Sequence, residues 1–198
     1  MEHGLRFVRK YKHEFTTYAK RRWLGQSLLQ IFSTEFKAYS QSYYHKAITE
    51  GRITVNKKVV NPDSYKLKEG DKIVHTTVRE ETPVNSELPT LLHEDDKIVV
   101  VNKPSSVPVH PCGNFKYNSL QYLMELCLDK KGLKTVHRLD RQTSGIVFFA
   151  KNEVESNNFR EALISEKMRK VYYARVQGDF SKICDKDSKV RCDLWIYC

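Results

Sequence analysis

The sequence HRLDRQTSGIVFFA, at residues 137–150, is a polar loop that runs into an apolar strand. The loop has one carboxylate, Asp140, which lies between Arg138 and Arg141. Cations so close in sequence would hold the carboxylate ionised and orient it. The final Ser-Gly pair allows a tight turn into the strand. From spacing alone, the pattern favours an ion-paired turn that caps a strand over a catalytic site.

Strands and helices alternate around this loop. The segment KIVVVN predicts a buried strand before it, and a proline-rich loop and a helix over residues 118–132 follow. Asn118 or Ser119 is the expected cap of that helix, and we expect four of its side chains to face inward: Leu120, Leu123, Met124 and Cys127. After the loop, the sequence predicts a helix over residues 152–165 and a strand, KVYYARVQG, over 170–178. This order predicts a mixed α/β domain built around a sheet.

A smaller unit precedes this domain. Residues 24–36 predict a helix with four apolar side chains on one face: Leu24, Leu28, Ile31 and Phe32. A second helix should start at Ser40 or Ser42 and end at Gly51. ITVN, a Lys57-Lys58 turn and VVNP predict a hairpin, and KIVHTTV predicts a further strand. The order resembles the S4-like RNA-binding module, although an accessory domain without a ligand fits the same pattern.

The charge distribution favours a polyanionic partner. The formal net charge is +10, with 34 Lys and Arg against 24 Asp and Glu. Residues 1–22 hold seven basic residues, among them Arg21 and Arg22, with tyrosines interleaved, which suits phosphate contacts mixed with base stacking. On charge alone, a nucleic-acid ligand and a merely basic protein without one are equally supported.

Other classes of protein are disfavoured. No apolar run is long enough for a membrane helix, and the N-terminus has no apolar signal-peptide core. We therefore expect an intracellular protein, with cytoplasm, nucleus and mitochondrion left open. The five cysteines include no CxxC pair, so we expect neither a metal nor disulfides.

Three ordered motifs resemble the RluA-like family of RNA pseudouridine synthases. HRLDRQTSG contains that family's HRLDxxTSG signature in full. NKP at residues 102–104 and VHP at 109–111 resemble the family's NKPxGxxVHP loop, with Ser106 where the family usually has glycine. KVYYARVQG is similar to its KxYxAxVxG strand. The resemblance covers roughly residues 20–180 and includes the S4-like unit ahead of the catalytic domain.

The resemblance implies a cofactor-free isomerisation of uridine within RNA. RRWLGQSLLQIFSTEF at residues 21–36 and the paired tyrosines of the next helix resemble the family's eukaryotic branch, which implies tRNA as the substrate. We expect a monomer. By the same resemblance Asp140 is the catalytic aspartate, acting as a nucleophile or as a base. Tyr172 matches the tyrosine that stacks on the target base. Arg138 matches the arginine that fills the vacated stack, but it is equally well placed in sequence to pair with Asp140. The expected RNA-binding residues are Arg138, Arg141, Lys57, Lys58, Arg21 and Arg22.

The predicted fold class is α+β: an S4-like module, then an incomplete mixed α/β catalytic domain. The expected divisions are a basic segment (1–22), the module (23–79), a linker (80–90) and the catalytic domain (91–198). After Gly178 the resemblance fades, and the family's RTGRTHQIR-like motif is not found, so we expect a truncated chain. The alternative function is a catalytically inactive, truncated RNA-binding protein. A glycosidase-like hydrolase is weaker, because no second carboxylate stands in a comparable motif.

Overall fold

Apolar periodicity and turn residues divide the chain into short strands and helices, which a computed structural model describes for residues 4–165, 167–175 and 177–179. The chain forms two units, residues 1–160 and 161–198. In chain order the elements are β1 (Leu5–Arg6), β2 (Tyr11–Tyr18), a 3-10 helix (Arg21–Trp23), α1 (Leu28–Glu35), α2 (Gln41–Thr49), β3 (Ile53–Val55), β4 (Lys72–Arg79), β5 (Val84–Asn85), β6 (Thr90–Glu94), β7 (Ile98–Lys103), α3 (Leu120–Leu128), β8 (Lys134–Thr135), β9 (Gly145–Ala150) and α4 (Glu153–Ile164).

Serine caps start three of the helices. Ser27, Ser40 and Ser119 each accept a hydrogen bond from a backbone N–H in the first turn. Such caps satisfy donors that the helix itself leaves open. Ser40 and Ser119 therefore resolve the alternative caps that the sequence allowed. Gly51 follows α2 with φ +75°, as expected for a glycine that ends a helix.

The N-terminal helices and a three-stranded antiparallel sheet, in the order β2-β4-β3, form the first core. Leu28, Ile31 and Phe32 are buried as predicted, but Leu24 precedes α1 and is exposed. Residues 11–18, predicted only as part of a basic segment, form the long edge strand β2. The sequence underestimated this strand because its outward face is polar throughout.

The predicted linker is an ordered connection. Residues 84–85 form β5, which pairs with β1, and both Glu81 and Val84 are buried. The two prolines of the segment suggested a free chain, yet Glu81 and Val84 anchor it against the following block.

A four-stranded antiparallel sheet, in the order β6-β7-β9-β8, forms the second core together with α3. Leu120, Leu123 and Met124 face this core as predicted, whereas Cys127 is exposed. Residues 171–175 are not a strand, contrary to the prediction. An extended segment counts as a strand only when its backbone pairs with another, and no described segment pairs with this one.

Candidate active site

The loop from residue 136 to residue 144 connects β8 to β9. A backbone hydrogen bond of 3.1 Å from Thr143 N–H to the Asp140 carbonyl closes a turn that carries the exposed Asp140. Gly145 then enters β9 with φ +126°, a conformation that L side chains rarely adopt. Gly145 pairs with Lys103 at the end of β7, so the sheet fixes where the loop rejoins the core.

A buried lysine holds the loop from beneath. Lys103 is fully buried, and its ammonium donates to the carbonyls of Pro104 (3.1 Å), Val107 (2.8 Å) and Arg141 (3.2 Å). Burial lowers the pKa of Lys103 to about 8, although the charge of Asp140 acts in the opposite direction. The loop next to Asp140 is therefore tied to the buried end of β7.

The neighbouring serines add two further ties. Ser105 donates its hydroxyl hydrogen to the Gln142 carbonyl at 2.6 Å. Ser106, which stands where the resembling family usually has glycine, has φ +69°. Its hydroxyl oxygen accepts a hydrogen bond of 2.7 Å from the Asn85 N–H, which compensates for a backbone conformation that favours glycine.

The expected ion pairs around Asp140 are not formed. Within the part of the chain that the structure describes, neither Arg138 nor Arg141 lies within ion-pair distance of the Asp140 carboxylate. The Arg141 guanidinium instead lies 5.4 Å from the centre of the Phe115 ring. The interpretation of this loop as an ion-paired turn is therefore wrong: the Arg141 guanidinium lies against an aromatic ring, and Arg138 is exposed to solvent.

Arg138 lines an open cleft of about 400 Å³ together with His110, Thr135, Val136 and His137. His137 also accepts a hydrogen bond at Nε2 from the Phe148 N–H, at 3.3 Å, which ties the start of the loop to β9. The volume is within the range of small-ligand sites, and the cleft is open to solvent. His110, from the VHP motif, lies on its wall.

Tyr172 belongs to the second unit, residues 161–198. Its side chain is 58% exposed, and that of Tyr173 is fully exposed. Both tyrosines lie in the segment that was predicted to be a strand, and residues 171–175 form none.

Lys57 and Lys58 lie on an exposed turn after β3. Asn56 and Lys57 both have positive φ, at +50° and +65°, and Val55 and Lys58 exchange backbone hydrogen bonds of 3.0 and 2.8 Å. Two such residues define a hairpin turn of type I′ geometry, with asparagine at its preferred position. The turn is therefore centred on Asn56-Lys57 rather than on Lys57-Lys58.

A buried aspartate holds this turn. Asp71 is 5% exposed and accepts hydrogen bonds from Asn56 Nδ2 (2.7 Å), the Tyr65 hydroxyl (2.9 Å) and the Lys68 N–H (2.9 Å). Burial by itself would raise the pKa of Asp71, but these donors lower it below its ordinary value.

Arg21 and Arg22 differ in their environment. Arg22 donates from Nε to Glu35 at 2.9 Å and forms a second bond to the same carboxylate through Nη2. This pairing lowers the pKa of Glu35 to about 2. Arg21 is exposed and has no ion pair within the described residues, so it is the freer of the two cations.

Sequence reasoning missed three buried charged residues: Lys103, Asp71 and Glu81. Lys103 lies in the NKP motif and Glu81 in the predicted linker, both of which the sequence singled out for other reasons. The available signal was a charged residue at the end of an apolar strand or at the start of one, which becomes buried when the turn beside it closes.

The described residues contain no group of three or more His, Cys, Asp or Glu side chains placed to hold a metal ion. None of the helices in the described ranges has the length and apolar character of a membrane span. Cys112 and Cys127 are free thiols, and the other three cysteines lie outside the described residues.

Comparison with known proteins gives two family matches. Residues 97–197 match the model of RNA pseudouridylate synthases, and residues 28–73 match the S4 domain. The chain is 44% identical over 90% of its length to human pseudouridylate synthase RPUSD2, and 37% identical over 89% to RNA pseudouridine synthase 7 of Arabidopsis thaliana. It is 33% identical over 89% to the mitochondrial tRNA pseudouridine(32) synthase of Saccharomyces cerevisiae.

These alignments cover 33%, 45% and 38% of the respective relatives. The chain thus spans less than half the length of each relative, and includes an S4 domain and part of the synthase domain.

Proposed function

Because the chain belongs to the RluA-like family of RNA pseudouridylate synthases, we propose that it isomerises uridine to pseudouridine in RNA, with Asp140 as the catalytic carboxylate. One observation carries the proposal: the complete HRLDRQTSG loop presents an exposed Asp140 on a turn whose backbone is held by buried Lys103. A carboxylate that must approach a ribose needs this combination of accessibility and fixed position.

The reaction breaks the N1–C1′ bond of uridine and forms a C5–C1′ bond. The C5 proton leaves to solvent and N1 gains a proton, so no oxidant or other reactant is consumed. Asp140 serves either by attacking C1′ or by removing the C2′ proton, and both routes require the ionised form. A deuterium at C2′ slows only the second route in its first step.

A uridine inside folded RNA must leave its stack before this chemistry, at a cost of a few kcal/mol. The cleft lined by His110 and by Arg138, which lies two residues before Asp140 along the loop, is the site that we propose for the extruded nucleotide. A guanidinium plane such as that of Arg138 can replace a base in a stack. Arg138 is exposed and makes no ion pair with Asp140, which leaves it available for this role.

We further propose tRNA as the substrate and Tyr172 as the residue that stacks on the target base. A tRNA-modifying enzyme is among the relatives, and the S4 domain supplies an RNA-binding surface. Tyr172→Phe keeps the ring, so single-turnover rate should fall more than RNA affinity. A loss of affinity at an unchanged single-turnover rate would contradict this role.

The test uses the natural protein that carries this chain and RNA transcribed with tritium at uridine C5. Isomerisation releases tritium to water, so turnover is measured directly. Asp140→Asn preserves the size of the side chain and removes its charge, and we expect turnover to fall to background. Asp96→Asn is the matched control, because Asp96 is an exposed aspartate in the turn before β7.

Tritium release by Asp140→Asn at the wild-type rate would exclude Asp140 as the catalytic group. Binding without release by the wild type, on both tRNA and ribosomal RNA, would instead support the RNA-binding protein without catalysis. Release from ribosomal RNA alone would overturn the choice of tRNA.

A further inference from the structure

A cleft of about 370 Å³ lies between the β2-β4-β3 sheet and the loop that follows the VHP motif. His13 of β2 and Arg79 at the end of β4 form one side, and the loop over residues 111–116 forms the other. The lining therefore combines residues from before and after the connection at 80–90. Neither block contains this cleft by itself.

The walls of the cleft are fixed by hydrogen bonds. Cys112 and Phe115 exchange backbone hydrogen bonds of 3.0 and 2.8 Å, which close the loop into a tight turn. The Arg79 guanidinium donates to the Gly113 carbonyl at the tip of that turn. This contact crosses the junction and holds the loop against β4, so the cleft is preorganised for a ligand.

A buried carboxylate, Glu81, joins β2 to the segment that precedes α3. Glu81 is 3% exposed and accepts hydrogen bonds from the Tyr11 hydroxyl (2.8 Å) and from the N–H groups of Tyr117 and Asn118 (2.9 Å each). Burial would raise the pKa of Glu81, but these donors bring it below its ordinary value. The Glu81 charge is thus engaged by neutral donors and not by the cations of the cleft.

Arg79 and Lys116 are the two cations that line the cleft. Within the described residues, neither Arg79 nor Lys116 has a carboxylate within ion-pair distance. Each lies against an aromatic ring instead: Arg79 is 5.4 Å from the centre of Phe15, and the Lys116 ammonium is 4.9 Å from that of Tyr117. Burial, followed by the charges of Arg79 and Lys116, lowers the pKa of His13, so His13 is predominantly neutral at pH 7 and can donate one N–H.

Aromatic rings continue the cleft in two directions. Phe115, on its wall, lies beneath the Arg141 guanidinium at 5.4 Å, and Arg141 directly follows Asp140 in the candidate active-site loop. On the other side, the half-exposed Phe15, which lies against the Arg79 guanidinium, lines a separate apolar cleft of about 340 Å³ that includes His75 and Tyr39. Cations and rings therefore alternate from the candidate active site to the S4 module.

A single strand of RNA has the matching chemistry, because it repeats an anionic phosphate and a flat base. We propose that the junction cleft binds a backbone phosphate of single-stranded RNA between Arg79 and Lys116, with the adjacent base stacked on Phe15. The bound segment flanks the nucleotide presented to Asp140, and in this respect the inference rests on the proposed function. The site would fix the number of nucleotides between those bound by the S4 module and the target uridine.

The phosphate contact is tested by the salt dependence of binding. A fluorescein-labelled oligouridylate is titrated by anisotropy at several salt concentrations, with Asp140→Asn protein so that no turnover occurs. Each single-stranded phosphate contact contributes about 0.7 to the slope of log affinity against log salt. We expect Arg79→Gln and Lys116→Gln each to flatten the slope by about 0.7, and the double variant by about 1.4.

Lys131→Gln is the control for the loss of one positive charge. Lys131 is exposed and lies 3.3 Å from Asp129 in the turn after α3, so its removal should leave the slope unchanged. Arg79→Lys keeps the charge and should keep the slope. If Arg79→Gln lowers the melting temperature, Lys116→Gln decides the phosphate contact alone.

The stacking contact has a separate readout. An oligonucleotide with 2-aminopurine loses fluorescence when that base stacks on a ring. Phe15→Leu should restore the fluorescence and leave the salt slope unchanged. Tyr18→Leu, on the opposite face of β2, should leave the fluorescence quenched.

Unchanged slopes for both Arg79→Gln and Lys116→Gln would overturn the proposal, as would an equal change in Lys131→Gln. Absence of oligouridylate binding would overturn it as well. If these slopes change but Asp140→Asn still isomerises uridine, the catalytic assignment fails and the junction site stands. If the slopes do not change while isomerisation requires Asp140, only the junction site fails.

Discussion

Two exposed loops each carry a candidate functional residue over a buried side chain of the charge opposite to that residue. The loop that carries Asp140 is held by the Lys103 ammonium, and the turn that carries Lys57 and Lys58 is held by the Asp71 carboxylate. In both cases the buried group bonds to the loop's backbone or to a neutral side chain. Each exposed charge therefore stays free for a ligand while the loop beneath it is fixed.

The two buried charges differ in how well their charge is stabilised. Asp71 accepts from a backbone N–H, an amide and a hydroxyl, and its pKa stays below the ordinary value. Lys103 has only backbone carbonyls as partners, and burial lowers its pKa to about 8. The turn at Lys57 is therefore held by a carboxylate that stays charged near neutral pH. The Asp140 loop is held by the Lys103 ammonium, which loses its proton in alkaline solution.

Lys103→Met should give the largest effect: a strong loss of turnover with little change in RNA affinity. The side chain keeps its length but loses all three donors, so the turn beside Asp140 is no longer tied to β7. We expect turnover to fall about 100-fold, because small displacements of a reacting group carry large costs. Oligouridylate affinity should stay within a factor of about two, since the S4 module is untouched. Tritium release and anisotropy measure the two quantities.

Stability should change little in the same variant. Removal of a costly buried charge offsets the carbonyls left without donors, and we expect a change below about 1.5 kcal/mol. Lys97→Met is the control, because Lys97 is exposed in the turn before the same strand. Equal losses of turnover in the two variants would show that the tie to the loop is not the cause.

Asp71→Asn should lower stability and RNA affinity and leave turnover nearly unchanged. The variant retains one acceptor oxygen but cannot serve all three donors, so we expect a loss of about 2 kcal/mol in unfolding free energy. RNA affinity should fall with the order of the turn, while turnover at saturating RNA stays near the wild-type value. Asp63→Asn, at an exposed position in the preceding turn, is the control. A loss of turnover without a loss of affinity would break the comparison.

The sequence predicted most of what local patterns encode. The caps at Ser40 and Ser119 were each one of two candidates, because a capping side chain bonds within four residues, whereas the cap at Ser27 was not predicted. The Asp140 loop was also identified, because its motif is contiguous. Contacts that join distant residues were not: Lys103 with Arg141, Asp71 with Asn56, and Arg79 with Gly113 depend on how the sheets bring turns together. Strand 170–178 failed for the same reason, since pairing is not a local property.

The contributions of Lys103 and Asp71 to the free energy of unfolding should depend on pH in different ways. Native Lys103 loses its proton near pH 8, whereas the unfolded chain keeps it until about 10.5. Between these values the unfolded state binds more protons, so the contribution of Lys103 to stability rises with pH. Turnover should fall over the same interval, because a neutral amine donates only two hydrogen bonds to three carbonyls.

This effect is measured by urea unfolding of the wild type and of Lys103→Met over a range of pH. In the difference between their unfolding free energies, the contributions of the other titrating groups cancel. We expect the difference in unfolding free energy to grow in favour of the wild type from pH 8 toward 10.5. Asp71 acts in the other direction: its lowered pKa means that its contribution is present at neutral pH and is lost as acid protonates it. Parallel curves for wild type and Lys103→Met across the alkaline range would contradict the assignment.

The smallest expected effect concerns which exposed cations bind phosphate. Arg21 and Arg22 are adjacent and chemically identical, but Arg22 is paired with Glu35 and Arg21 is not. A cation already bound to a carboxylate releases few counterions, because binding phosphate would require it to abandon its partner. We therefore expect Arg21→Gln, like Lys57→Gln and Lys58→Gln, to flatten the salt slope by about 0.7, and Arg22→Gln to leave it unchanged. Point changes are required here, because deletion of residues 1–22 would remove the edge strand β2 together with the charges. Equal slopes for Arg21→Gln and Arg22→Gln would show that pairing does not select the phosphate-binding cations of the S4 module.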